Sequence, residues 1–293
     1  MYVIFGASGN VGRATATALR HAGHDVRAVV RNQAQHEMFT RIGCETVHAD
    51  LDDEASLHRA LDGAHAVQML CPLPHRDPDP GSAMHRMIVT AARALREHPH
   101  LHVVSLSDYG AELDEDTGIT MLFHELEAAF KQNVPRLTLL RSAEHMHNWM
   151  RVLPAALATG RLPSLHHPLD RQFPTVAAQD VGVLAAHLLS EARDEDGVRI
   201  VSIEGPSRYD ANDVARAFSE ATGRDIAALA LPRDEWTATL LRAGLSTNHA
   251  KLITDLYDAQ NAGRIDVDPR TERRFGTTSL RDALAALTQT VNA

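Results

Sequence analysis

Val3-Ile4-Phe5-Gly6-Ala7-Ser8-Gly9-Asn10-Val11-Gly12 stands near the start of this chain of 293 residues. An apolar, β-favouring run gives way to three glycines, and the glycines give way to a segment with helical periodicity over residues 11–21. Strand, glycine turn and helix in that order are what a dinucleotide pyrophosphate requires. Gly6 turns the chain, Gly9 lets the backbone approach the phosphates, and Gly12 lets the helix pack on the strand with its N-terminus facing the anion. Gly6, Ala7, Ser8, Gly9, Asn10, Val11 and Gly12 are therefore candidate cofactor-binding residues. One more residue separates the first two glycines than in the commonest dinucleotide fingerprint.

Outward from this turn, short apolar runs alternate with helical patterns. Strands are expected over residues 2–5, 25–30, 45–49, 64–70, 101–106 and 137–140, and helices over 11–21, 54–61, 84–97 and 121–132. That alternation predicts an α/β fold, a Rossmann-type doubly wound parallel sheet with right-handed crossovers. The stretch 72–80, rich in proline, reads as a surface loop near the cofactor edge. From about Ala143 the alternation breaks at Pro154, Gly160, Pro163 and Pro168. The expected organisation is a cofactor-binding domain over residues 1–142, to which 176–192 return, and a smaller, discontinuous C-terminal α/β substrate lobe over 143–293. A strand over 200–203, a helix over 211–222, two further helical stretches before Gly263 and a last helix over 280–291 belong to that lobe. Thr277, Thr278 or Ser279 is placed to cap the last helix.

The second strand ends Val29-Val30-Arg31-Asn32, where an NAD enzyme usually carries an acidic residue on the adenosine ribose. Arg31 suits a 2′-phosphate, so NADP(H) is the expected cofactor. Asp50 and Leu51, at the end of the third strand, are placed to address the adenine; a helix cap before Asp52-Asp53-Glu54 is the competing reading of Asp50. Leu70 and Cys71, after the fourth strand, and Ser105, on the fifth, complete the expected cofactor lining at the carboxyl edge of the sheet.

These segments, with Leu140-Arg141, Met146-His147-Asn148-Trp149, Gln179-Asp180-Val181-Gly182 and Glu204-Gly205-Pro206, resemble the NmrA-like family over nearly the whole chain. That family belongs to the atypical short-chain dehydrogenases and includes NADPH-dependent quinone reductases and NADP-sensing regulators. The resemblance implies that the segment after Arg141 lines a pocket over the nicotinamide, with His145, Asn148 and Trp149 as its wall. Family members more often carry phenylalanine and glutamate where this chain has His145 and His147.

Ordinary short-chain dehydrogenases pair a tyrosine with a lysine four residues on, the lysine lowering the tyrosine's pKa. Here Lys131 and Lys251 are the only lysines, and neither stands at that offset from Tyr2, Tyr109, Tyr209 or Tyr257. Hydride transfer to a quinone needs no such pair, because the cofactor carries the chemistry and water can supply the proton. Ser107 and Tyr109, after the fifth strand, and His124, in the next helix, are the polar candidates for catalysis. Two functions follow: an NADPH-dependent oxidoreductase acting on a quinone or similar conjugated carbonyl, or a non-catalytic NADP(H)-sensing regulator that binds the cofactor and changes partners.

Composition narrows the classes further. The formal net charge is -9 and no basic run occurs, so direct nucleic-acid binding has no electrostatic support. Cys44 and Cys71 are too few for a disulfide framework and lack metal-ligand spacing, which favours reduced thiols and the cytoplasm. Neither a leader pattern nor a run of membrane-spanning length is apparent. The 18 histidines include the groupings 98/100/102, 145/147 and 166/167, but no carboxylate or cysteine completes a ligand set beside them in sequence, so no metal is expected. The partner expected is a small molecule, with a homodimer or a regulatory protein left open.

Overall fold

The computed structural model describes residues 1–192 and 195–292. In chain order, β1 (Tyr2–Ile4), β2 (Val26–Val30), β3 (Glu45–His48), β4 (Ala66–Met69), β5 (His102–Asp108) and β6 (Arg136–Ser142) are joined by α1 (Asn10–His21), α2 (Gln33–Arg41), α3 (Glu54–Leu61), α4 (Pro80–Arg96) and α5 (Ile119–Asn133). Then follow β7 (Glu144–His145), the 3₁₀ segment Met146–Arg151, α6 (Leu153–Thr159), β8 (Arg161–Ser164), β9 (Thr175–Val176), α7 (Ala178–Ser190) and β10 (Gly197–Glu204). The chain closes with α8 (Ala211–Thr222), β11 (Ala227–Ala230), α9 (Trp236–Arg242), α10 (Thr247–Asn261), β12 (Glu272–Phe275) and α11 (Leu280–Asn292).

Eight of these strands form one sheet in the order β12-β10-β6-β5-β4-β1-β2-β3, every neighbouring pair parallel. The strand order reverses between β1 and β4, and ligands in such sheets bind in the crevice at that reversal, outside the carboxyl ends. Because the sheet is covered on both faces, its strands read as continuous apolar runs. Tyr2 and Ile4 of β1 join the core beneath α1 and α7, whereas Val3 and Phe5 join the core beneath α3, α4 and α5, the period of two that a strand imposes. A third core gathers Trp149, Phe173, Phe218 and Leu284 under α8 and α11.

Gly182 explains how closely α1 and α7 pack. A Cβ there would stand 2.5 Å from Ala14 Cβ and 2.6 Å from the Val11 carbonyl oxygen. At the head of α11, Ser279 accepts the Asp282 backbone N–H and is the cap, while Thr278 is tied instead to the Asp180 carboxylate of α7.

Among the elements that depart from the sequence reading are α2, α4 and β12. α2 was not expected, since Phe39 is its only buried residue and it has almost no apolar stripe to read. α4 begins at Pro80, inside the expected loop, because Asp79 caps it by accepting the Ser82 N–H and proline suits the first helical position. β12, Glu-Arg-Arg-Phe, is a charged edge strand without alternating apolar residues. No helix among the described residues is long and apolar enough to cross a membrane.

Candidate cofactor and substrate cleft

The turn after β1 is held by backbone. Gly6 has φ +71°, a left-handed conformation that favours glycine, and a Cβ on it would lie 2.7 Å from Leu70 Cδ2. Gly12 sits against the turn itself, where a Cβ would meet the Gly6 carbonyl oxygen at 2.2 Å. Gly9 is different: its Cβ position meets only that same oxygen, at 3.3 Å, so the space above it is open. Gly9 is also the N-cap of α1, with no side-chain cap and no acidic residue in the first turn. The first N–H groups of α1 are thus free of intramolecular acceptors of that kind, and the helix end is electropositive, a cradle suited to a pyrophosphate. Beneath it, the buried Thr15 hydroxyl donates to Gln68 Oε1 at 2.7 Å and ties α1 to β4.

Arg31 is exposed immediately after β2. Its backbone N–H donates to Gln35 Oε1, and Asn32 caps α2, while the guanidinium makes no ion pair or hydrogen bond among the described residues. Asp50 is exposed and accepts the Asp52 backbone N–H; Asp53, not Asp50, caps α3. Leu51 and Leu70 are half-buried on this edge, and Leu70 crowds Gly6. Cys71 is fully buried, and burial pushes its thiol up to about 12, so it stands there as a small apolar residue. Ser105 is likewise buried, with no partner for its hydroxyl among the described residues.

Beyond β6 the lining is made of rings. His145 Nε2 lies 3.2 Å from Ser142 Oγ, and its ring is 5.1 Å from that of His147. Burial, the other imidazole and Arg151 hold His145 down at about 3; burial and Arg151 hold His147 at about 4. Both are therefore neutral near pH 7. His147 and Met146 line a cavity of about 510 Å³ that runs along α1 from Asn10 and Arg13 to His21 and is bordered by Gln179 of α7 and Ala286 of α11, so of the ring wall it is His147 that shares a cavity with Asn10, at the end of the glycine turn. Trp149 stacks near His166 and Phe173, while Asn148 is half-buried on the same 3₁₀ segment. The Nδ1 of His147 and the Nε1 of Trp149 are buried without a hydrogen-bond partner among the described residues.

Ser107, Tyr109 and His124 are engaged elsewhere or enclosed. Ser107 donates to Glu127 Oε1 at 2.7 Å, within a buried network in which Arg141 also holds Glu127, Glu112 and Asp268. Tyr109 is buried, and its hydroxyl has no partner among the described residues; burial and the charge of Glu204 raise it above the usual phenol range. His124 Nδ1 lies 3.0 Å from the Ala111 carbonyl, and its ring lines a second cavity of about 490 Å³ with Lys131, Arg141 and Arg270.

The structure adds a carboxylate that the sequence reading passed over. Asp108, at the carboxyl end of β5, accepts from the Thr120 hydroxyl at 3.0 Å, and burial pushes it up to about 7. Its place next to Ser107 and Tyr109 was the available signal. Glu144, His166 and Tyr257 were missed as well: Glu144 receives the Tyr257 hydroxyl at 3.2 Å and lies 3.0 Å from His166 Nε2. Those residues are 22 and 113 positions from Glu144 along the chain, so sequence proximity gave no signal.

A Rossmann-type parallel sheet and a bare glycine turn at its strand-order reversal, opening on a helix N-terminus without a side-chain cap, define a dinucleotide-binding protein. Residues 6–192, more than half of the chain, match the NAD(P)H-binding family, and the chain belongs to that family. It is 25% identical over 295 residues to quinone oxidoreductase 2 of Escherichia coli, covering 98% of each chain. To the NAD(P)H azoreductase of Xenophilus azovorans it is 23% identical over 279 residues, covering 94% of this chain and 93% of that one. The NADPH complex of the Escherichia coli NADPH-dependent quinone oxidoreductase superposes with a TM-score of 0.80 at 21% identity over the whole of both chains. The expected NmrA-like, atypical short-chain dehydrogenase character agrees with these relatives, and the chain is an NAD(P)H-dependent oxidoreductase.

Proposed function

We propose that this oxidoreductase takes NADPH and passes its hydride to a quinone or similar conjugated carbonyl, held between residues 1–142, with 176–192, and the lobe 143–293. The observation that carries the reading is His147, which shares a cavity with Asn10 of the glycine turn and has His145 5.1 Å from it, both imidazoles held neutral. A wall of neutral rings favours a flat, uncharged acceptor, and cationic histidines would not. The partnerless His147 Nδ1 is a further support: an unsatisfied buried polar atom costs about 1–3 kcal/mol, and an acceptor oxygen reaching it would relieve that cost.

In this reading the α1 N-terminus and Gly9 hold the pyrophosphate, Arg31 meets the 2′-phosphate, and Asp50 and Leu51 border the adenine. Leu70, Cys71 and Ser105 back the cofactor, while His145, Asn148 and Trp149 wall the acceptor. NADPH, when bound, supplies the hydride; the protein orients the acceptor and excludes water. Loss of nicotinamide absorbance on mixing the purified chain with NADPH and a panel of quinones tests the proposal. Turnover of at least one quinone supports it. Tight NADPH binding without turnover of any would replace it by the NADP(H)-sensing regulator that the missing tyrosine–lysine pair allows.

A further inference from the structure

α3 and the residues that follow α4 bring together Glu54, His58, Glu97 and His98. Glu54 and His58 are four residues apart on α3 and share one of its faces. Glu97 ends α4, and one of its carboxylate oxygens lies 3.5 Å from His58 Nε2. Single ligand atoms from Glu54, His58 and Glu97 all lie within 4.8 Å of one another. The next residue, His98, places its Nε2 3.0 Å from His58 Nδ1. No part of the cofactor cleft uses these side chains.

We propose that this cluster binds a divalent transition-metal ion of the zinc type through Glu54, His58 Nε2 and Glu97, with His98 as the residue that orients His58. One imidazole nitrogen and two carboxylates, with water in the remaining position, form a donor set that zinc accepts. Donors about 2.1 Å from a tetrahedral ion stand about 3.4 Å apart. Rotation of the two glutamates, neither of them buried, brings them to that spacing.

His98 is the observation that separates this group from an ordinary patch of surface carboxylates. A metal-bound histidine usually donates its second ring N–H to an acceptor, which fixes its tautomer and aims the other nitrogen at the ion. His98 Nε2 stands in that acceptor's place, 3.0 Å from His58 Nδ1, while the other nitrogen of the His58 ring faces Glu97 at 3.5 Å. His58 Nε2 is thereby directed at the carboxylates. Arg93 holds one Glu54 oxygen at 2.8 Å and offsets part of the acidic charge; Glu97 pairs with His58 alone among the described residues. The sequence reading found no carboxylate beside the 98/100/102 histidines because it compared neighbours along the chain, and the ligands come from two helices.

Zinc titrated into the untagged full chain, followed by calorimetry and by thermal unfolding, tests the site. The expected result is one equivalent bound and a melting temperature raised by zinc. His58→Ala and Glu97→Gln should each weaken zinc binding at least tenfold, and His98→Ala about tenfold. All three should melt like the parent without metal and keep its NADPH affinity, which shows that they fold. His145→Phe should leave zinc binding unchanged. Absence of zinc binding by the parent chain, equal affinity in parent and His58→Ala, or loss of binding in His145→Phe would each overturn the proposal.

Discussion

The turn after β1 and the segment after β6 stand on the same edge of one sheet, yet they are built from different material. Around Gly6, Gly9 and Gly12 the shape is set by backbone, with contacts so close that a single added carbon at Gly12 would fall 2.2 Å from a carbonyl oxygen. Around His145, His147 and Trp149 it is set by rings, and the contacts are centroid separations of 5 to 6 Å between side chains, 5.1 Å for the two imidazoles and 5.7 Å for Trp149 against His166. Backbone space has no substitute, whereas a ring can be exchanged for another ring. The difference teaches that the glycine turn is specified by backbone space, while the segment after β6 is specified by side-chain packing that another ring could fill.

The sharpest way to break this contrast is to fill the backbone space. Gly12→Val should destabilise the fold by about 3 kcal/mol, the upper range for overpacking, and abolish measurable NADPH binding. Urea unfolding and fluorescence titration would show both, and a stable variant that binds NADPH normally would refute the backbone account. Gly9→Ala makes the complementary test, because its Cβ has only one contact, at 3.3 Å. Its stability should stay near that of the parent while NADPH binding weakens.

Arg31→Ala comes next. Losing a charge-assisted hydrogen bond, worth about 1.5–3 kcal/mol, should weaken NADPH binding roughly 10- to 100-fold and leave NADH nearly untouched. Equal losses for the two cofactors would remove Arg31 from the 2′-phosphate. On the ring side, His147→Phe keeps the bulk and removes the polar atoms. Steady-state kinetics should show kcat/KM for the quinone falling roughly tenfold, with the NADPH Kd unchanged. A changed NADPH Kd would move His147 from the acceptor wall to the cofactor.

The last expected effect is on stability against pH. His145 and His147 lie at about 3 and about 4 in the folded chain, below the ordinary 6.5. Their contribution is therefore whole above pH 6.5 and disappears as the pH falls toward 4 and 3. Asp108, pushed up to about 7 from 3.8, acts in the opposite sense: its contribution is present at low pH and is lost as the pH rises through about 7. The diagnostic quantity is consequently the difference between chains. The His145→Phe/His147→Phe double variant should lose less urea resistance than the parent on acidification through this window, and identical losses would show that the pair is not buried in neutral form.

Much of this molecule was legible from the order of its residues. A run such as Tyr2 to Phe5 is apolar at every position because both faces of its strand are covered, and the glycines that follow carry their geometry in their lack of side chains. The exposed place of Arg31 was readable for the same local reason, since it directly follows the strand. α2 and β12 were not, because one buried phenylalanine and a charged edge leave little pattern to detect.

What the sequence by itself determined was the Rossmann-type sheet, the cofactor turn and the nucleotide class, all of which depend on neighbours within a few residues. Only the tertiary structure decided which side chains meet across the chain: Asp108 with Thr120, Glu144 with His166 and Tyr257, and His58 with Glu97 and His98. Backbone conformation is set by local sterics, and local sterics are written in consecutive residues. The ionisation and partners of a side chain depend instead on what the completed fold packs around it.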